Sequence, residues 1–143
     1  MIVDANILLY AVDADSQFHL PAKNWLEAAL SGPTRVGFPW QSLIAFQRIA
    51  THPRASAAPL RPDEAWSFIS DWLDAPVAWI PVPTDRHAIT LRQLLLDGDL
   101  RGNLVSDAHL AALAIEHGVA VCSADSDFAR FPGLTWINPL AAA

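Results

Sequence analysis

A chain of 143 residues that is 52% apolar, with six Trp and six Phe, is too hydrophobic to stay disordered and long enough to bury a core as one domain, residues 1–143. Its formal charge of −6 counts against a general nucleic-acid binder, whose phosphate contacts need Lys and Arg, but not against an enzyme whose acids hold cations. A lone Cys122 inside an apolar run allows no internal disulfide, and no apolar run approaches the roughly 18 residues of a membrane span. "MIVDAN" lacks the basic and apolar regions of a signal peptide, so a cytoplasmic protein is expected. In chain order, "MIVDA" is a short apolar strand stopped by Asp4, and "NILLYAV" has helical or extended potential. Residues 16–30 place Phe18, Ala22, Trp25, Leu26 and Ala29 on one helical stripe, ended by Gly32 and Pro33. "RVGFP" is a second strand and "WQSLIAFQRIAT" a second amphipathic helix. Pro62, Asp63 and Glu64 start another, with Pro in its first turn and acids at the positive end of its dipole.

"VAWIPV" reads as a third strand, and Thr84 as the N-cap of "DRHAITLRQLLL". "NLVSDAHLAALAIEHG" is the clearest helix, closed by Gly118 and running straight into the strand "VAVCS". "FARF" is a helical turn and "LTWINP" an edge strand. Short apolar runs alternating with helices predict a mainly parallel sheet between helical layers, an α/β/α domain whose chemistry gathers at the carboxyl ends of the strands.

Four acids converge on that edge. Asp4 follows the first strand, and Asp125 and Asp127 follow a late one. Asp107 lies near the start of its helix on the stripe of Leu110, Ala111 and Ala114, where a carboxylate needs a partner. Oxygen ligands from three separated segments, without a His or Cys cluster, suit a hard ion such as Mg²⁺ or Mn²⁺. The five His are scattered, which argues against zinc; His87 and His109 read as helix-start or packing residues, and Trp25, Trp66 and Trp72 as core or subunit interface.

"MIVDANILLYAVD", "GNLVSDAHLAALAIEHG" and "VCSADSDFARFPGLTWINPL", in that order, resemble the PIN-domain ribonucleases and specifically the VapC-type toxins of bacterial toxin-antitoxin pairs. The resemblance implies a PIN-like α/β/α fold, a Mg²⁺ or Mn²⁺ site, cleavage of RNA phosphodiesters, a homodimer and a VapB-type antitoxin that blocks the site. It makes Asp4, Asp107, Asp125 and Asp127 the catalytic and metal-holding acids, with Asn6 and Ser123 as supporting groups that orient carboxylates or water.

The sequence departs from the family in one respect. The family's Glu in the helix after the second strand falls here at Phe46 or Gln47, and no Asp or Glu occurs between Glu27 and Asp63. Gln47 shares the inward stripe of its helix and is expected to offer an amide oxygen to metal-held water. Glu116 is no substitute, since it faces the opposite side of its helix from Asp107. The missing acid keeps open a catalytically degenerate PIN domain that binds RNA or antitoxin without cutting. Arg48, Arg54 and Arg61 are the expected RNA phosphate contacts. A receiver-type signalling domain is disfavoured because the only Lys, Lys23, lies in an early helix, and an Asp-nucleophile phosphatase because Asp4 lacks a second acid two residues on.

Overall fold

The computed structural model describes residues 1–141. Five strands, β1 (Ile2–Val3), β2 (Val36–Gly37), β3 (Ala78–Trp79), β4 (Val121–Cys122) and β5 (Trp136–Ile137), form one all-parallel sheet in the order β3-β2-β1-β4-β5. Six helices connect them: α1 (Ala5–Val12), α2 (His19–Leu30), α3 (Trp40–Ala50), α4 (Pro62–Asp74), α5 (His87–Asp97) and α6 (Asn103–His117). A 3₁₀ turn spans Ser126–Arg130 between β4 and β5.

Alternation along the strands separates two cores. Val3 and Val36 join the apolar faces of α1 to α4, where Trp72 stacks on Phe38 and meets Phe46 edge-on. Ile2 and Val121, partners in register, face the other way and pack with Leu110, Ala111 and Ala114 of α6 and Phe128 of the 3₁₀ turn. The sheet is therefore covered on both faces, the three-layer arrangement that its buried two-residue strands require. Gly37 is needed where it stands: a Cβ there would meet the Met1 carbonyl and the Trp79 ring at 3.1 Å and Ile2 at 3.2 Å.

Three local features refine or correct the sequence reading. "NILLYAV" is helix, because Asp4 caps it directly after a strand of two residues. Thr84 is not the N-cap of α5, which begins at His87; its hydroxyl instead accepts the Arg86 N–H and donates to the Glu116 carboxylate. Of the tryptophans placed on apolar stripes, Trp72 is buried, but Trp66 is exposed on the outer face of α4.

The chain order places the chemistry. From β1 the sheet grows through β2 to β3 on one side; α5 and α6 then return the chain to β4 on the other side of β1. The reversal lies between β1 and β4, so the crevice at the carboxyl ends of these strands is the expected ligand position. Asp4 stands at one lip of it, and Ser123 to Asp127 at the other.

Candidate active site

Asp4 leaves β1 and turns directly into α1. Its Oδ1 accepts the Ala5 N–H at 2.8 Å, and its Oδ2 accepts the Ser123 hydroxyl at 2.7 Å and the Asn6 amide at 3.4 Å. Asn6 spans the crevice as well: its Nδ2 donates to Ser123 Oγ at 3.0 Å, and its Oδ1 accepts the Ala124 N–H at 3.2 Å. Ser123 Oγ also accepts the Asp125 N–H at 3.0 Å, so one buried hydroxyl links the first acid to the third. Burial raises the Asp4 pKa; the bonds from Ser123 and Ala5 oppose that rise, and the charge of Asp125 adds to it.

Across the crevice, Asp125 caps the 3₁₀ turn by accepting the Asp127 N–H at 2.9 Å. Asp107 comes from the second turn of α6, whose start is set by Gly102 at φ +60°. Carboxylate oxygens of Asp107, Asp125 and Asp127 all lie within 4.8 Å of one another. The Asp107 pKa is pushed up to about 6, first by burial and then by the charges of Asp125, Asp4 and Asp127, with Arg130 opposing. Arg130 pairs with Asp127 at 3.4 Å. Asp4 lies outside the group of three, yet close enough for its charge to reach Asp107. Oxygen donors at this spacing, with their charge concentrated enough to hold a proton near neutrality, fit a hard divalent cation.

Gln47 stands apart. Its amide donates to the Pro62 carbonyl at the start of α4, its buried oxygen has no partner, and it shares no hydrogen bond with the four acids. The sequence reading aimed this oxygen at water in the site, whereas the structure turns the side chain toward α4. Phe46 is fully buried against Trp72, so neither residue occupies the place of a missing acid. The end of α3 beside the site is its first turn, where Gln41 Nε2 donates to the Ser106 carbonyl at 2.9 Å, next to Asp107. Gln41 escaped notice because helical period marks only inward stripes, and this contact joins residues 65 positions apart.

Among the expected RNA contacts, Arg61 is engaged with Asp63 at 3.1 Å and lies near Glu64 at 3.7 Å, at the start of α4. Arg48 and Arg54 are exposed and border a shallow depression with Ile49 and His52. Glu116 faces away from the site, as expected of its helical position, but is far from idle. Its buried carboxylate accepts the Thr84 N–H and hydroxyl, both at 2.7 Å, and pairs with His87, whose other ring nitrogen meets His109 at 3.0 Å. Burial pushes this carboxyl up, and the bonds from Thr84 and His87 together bring it below its ordinary value. This network ties α5 to α6 on the side opposite Asp107.

The PIN-domain family model matches residues 1–134. The chain belongs to the PIN-domain family. Ribonuclease VapC37 of Mycobacterium tuberculosis is 50% identical over 140 residues, which cover 98% of this chain and 97% of that relative. Ribonuclease VapC43 of the same organism is 39% identical over 98% of this chain and 95% of its own length. Among solved structures, the Mycobacterium tuberculosis VapC20, described as a Sarcin-Ricin loop cleaving toxin, aligns with a TM-score of 0.68 and 20% identity over 94% of this PIN domain and 98% of that chain. The Rickettsia felis VapBC2 complex, bound to a DNA fragment from its promoter, also aligns at a TM-score of 0.68 and 20% identity, covering 96% of each chain. These two likenesses establish the fold. PIN-domain nucleases depend in general on a divalent metal, and the acidic group here is chemically suited to one. No helix among the described residues is long and apolar enough to cross a membrane.

Proposed function

We propose that this PIN domain is the toxin of a type II toxin-antitoxin pair, an endoribonuclease that cleaves RNA phosphodiesters with Mg²⁺ or Mn²⁺. The observation that carries the reading is the convergence of Asp107, Asp125 and Asp127 within 4.8 Å at the switch point of the sheet, with Asp4 at the facing lip. A divalent ion held there would supply Lewis acidity toward water and toward the leaving oxygen. Asp107 and Asp125 would hold the cation, with Asp4 on the β1 side. Asp127, its side chain 48% exposed, faces the solvent from which the attacking water comes and accepts a hydrogen bond from it. Ser123 and Asn6 keep Asp4 and the β4 turn at a fixed separation, so the acids do not rearrange as substrate arrives. Water attacking in line leaves a 5′-phosphate and a 3′-hydroxyl.

Arg48 and Arg54, at and beyond the last turn of α3 and so at its end away from the acids, contact the RNA backbone outside the site, while Arg61 stabilises α4 instead. Trp40 and Ile44, one turn apart and exposed on α3, together with Val105 on α6, form an apolar strip that a homodimer or a VapB-type antitoxin covers. The second reading, a PIN domain that binds without cutting, is favoured by one observation: α3 carries no acid, and Gln47 points to Pro62.

The test is cleavage of total RNA by antitoxin-free protein in Mg²⁺, Mn²⁺ or EDTA, with Asp4→Asn and Asp107→Asn beside the unaltered chain. Fragments with 5′-phosphates that require metal and both acids are expected. Folded protein that cuts in no metal would establish the second reading.

A further inference from the structure

Beside the acids lies a cavity that the cleavage chemistry does not use. About 410 Å³ in volume, it opens between α5 and the end of the 3₁₀ turn, a size typical of small-molecule sites. Its floor is apolar, formed by Leu94, Leu100, Ile115, Phe131 and Pro132. Its rim is polar: Thr90, Gln93 and Asp97 recur at three- and four-residue spacing along one face of α5. Arg130 lines the same cavity while pairing with Asp127, so one guanidinium spans from the cavity to the acidic site.

We propose that this cavity is a nucleobase subsite, receiving an unstacked base of the RNA next to the phosphate being cut. The inference rests on the nuclease reading for its substrate, and four observations bring it to this occupant. The Phe131 ring and the Leu94 and Ile115 side chains offer the apolar surface that an unpaired base needs in place of its stacked neighbours. Arg130, which lines the cavity and pairs with Asp127, puts a positive charge between the cavity and the acids that the attached phosphate can use. Gln93 supplies both a donor and an acceptor for a base edge. Asp97 supplies acceptors only, and its paired carboxylate oxygens match a base edge with two adjacent donors, the N1–H and exocyclic amino group of guanine, better than the single donor group that adenine, cytosine or uracil presents. An apolar peptide would leave Asp97 and Arg130 without purpose.

Two measurements test this. In EDTA, AMP, CMP, GMP and UMP are titrated against the intact protein, Asp97→Asn and Thr90→Trp, with thermal unfolding confirming that each is folded. GMP is expected to bind roughly tenfold or more tighter than AMP, CMP and UMP, a preference that Asp97→Asn levels. Thr90→Trp, which fills the cavity, abolishes binding. Equal binding to all three proteins, or none to any, overturns the subsite.

In the second measurement, cut sites in an RNA pool are sequenced. Guanine is expected to be enriched at one position beside the cut, the enrichment relaxing in Asp97→Asn, while Thr90→Trp raises KM more than it lowers kcat. Identical cut sites and rates in all three proteins also overturn the subsite. If the intact protein binds GMP in EDTA yet cuts no RNA in any metal, the nuclease reading fails and the subsite stands on binding alone.

Discussion

Asp107 has neighbours that oppose its ionisation, and that gives it a measurable signature. Replacing it with Asn removes a charge held against three others, so Asp107→Asn is expected to raise the thermal midpoint of metal-free protein at about neutral pH. The same variant is expected to lose most of any stabilisation by Mn²⁺, since the proposed ligand set includes Asp107. Scanning fluorimetry in EDTA and in Mn²⁺ reads both effects; a lower midpoint in EDTA with the metal response intact would show that Asp107 is no ligand. Ser123→Ala tests the other lip. It leaves Asp4 Oδ2, the Asn6 amide and the Asp125 N–H short of a partner, at a cost of roughly 1–3 kcal/mol in urea unfolding, with the remaining activity reduced in kcat rather than KM. Asp4, Asp107, Asp125 and Asp127 were all legible as acids at strand ends or on a buried stripe. Gln41, Arg130 and the partners of Glu116 were not, because each acts through a contact that no local period encodes.

At the scale of elements, the site depends on how α6 is entered and held. Gly102 at φ +60° and ψ −132° occupies a conformation that L side chains rarely adopt, although a Cβ there would meet no atom within 4 Å. Gly102→Ala therefore costs backbone strain alone, about 1–3 kcal/mol, and lowers metal affinity by shifting Asp107; isothermal titration with Mn²⁺ and urea unfolding separate the two effects. Glu116 anchors α6 to α5. Glu116→Ala leaves Thr84 and His87 facing a void and is expected to cost roughly 3–5 kcal/mol, with activity per folded molecule unchanged; a specific loss of kcat would place Glu116 in the chemistry after all. Helices announced themselves by period, and α2, α3, α4 and α6 lie where their stripes put them. Strand lengths did not, since pairing stops once Asp4 and Ser123 take over as caps and bridges, leaving strands of two residues. Arg61 reads as a free charge until α4 folds and presents Asp63 and Glu64 to it.

Across the whole molecule, these groups set opposing slopes against pH. Asp4 and Asp107 have pKa values above their ordinary 3.8 when folded, Asp107 at about 6, so folding takes up protons. Their contribution favours the folded state in acid and is lost as pH rises toward 6. Glu116 runs the other way: its folded pKa is depressed, so its stabilisation holds above its ordinary 4.5 and fades as pH falls through the folded value. Metal-free protein is thus expected to be most stable in mildly acidic solution and to weaken toward neutrality. Saturating Mn²⁺ removes that weakening, and thermal midpoints across the acid-to-neutral range with EDTA or Mn²⁺ test it. Parallel profiles in the two conditions would count against a cation among the acids. The α/β/α layering was readable from the alternation of apolar runs and helices; the position of β4 beside β1, which creates the crevice, depends on long-range pairing.

That pairing also bears on how a cell survives making such a chain. The hydroxyl that holds Asp4 belongs to Ser123, made 119 positions later. Asp125 and Asp127 follow later still. While translation is under way there are loose carboxylates and no assembled site. The crevice closes only once the chain has been made through Asp127, so a product truncated before Ser123 has no assembled site.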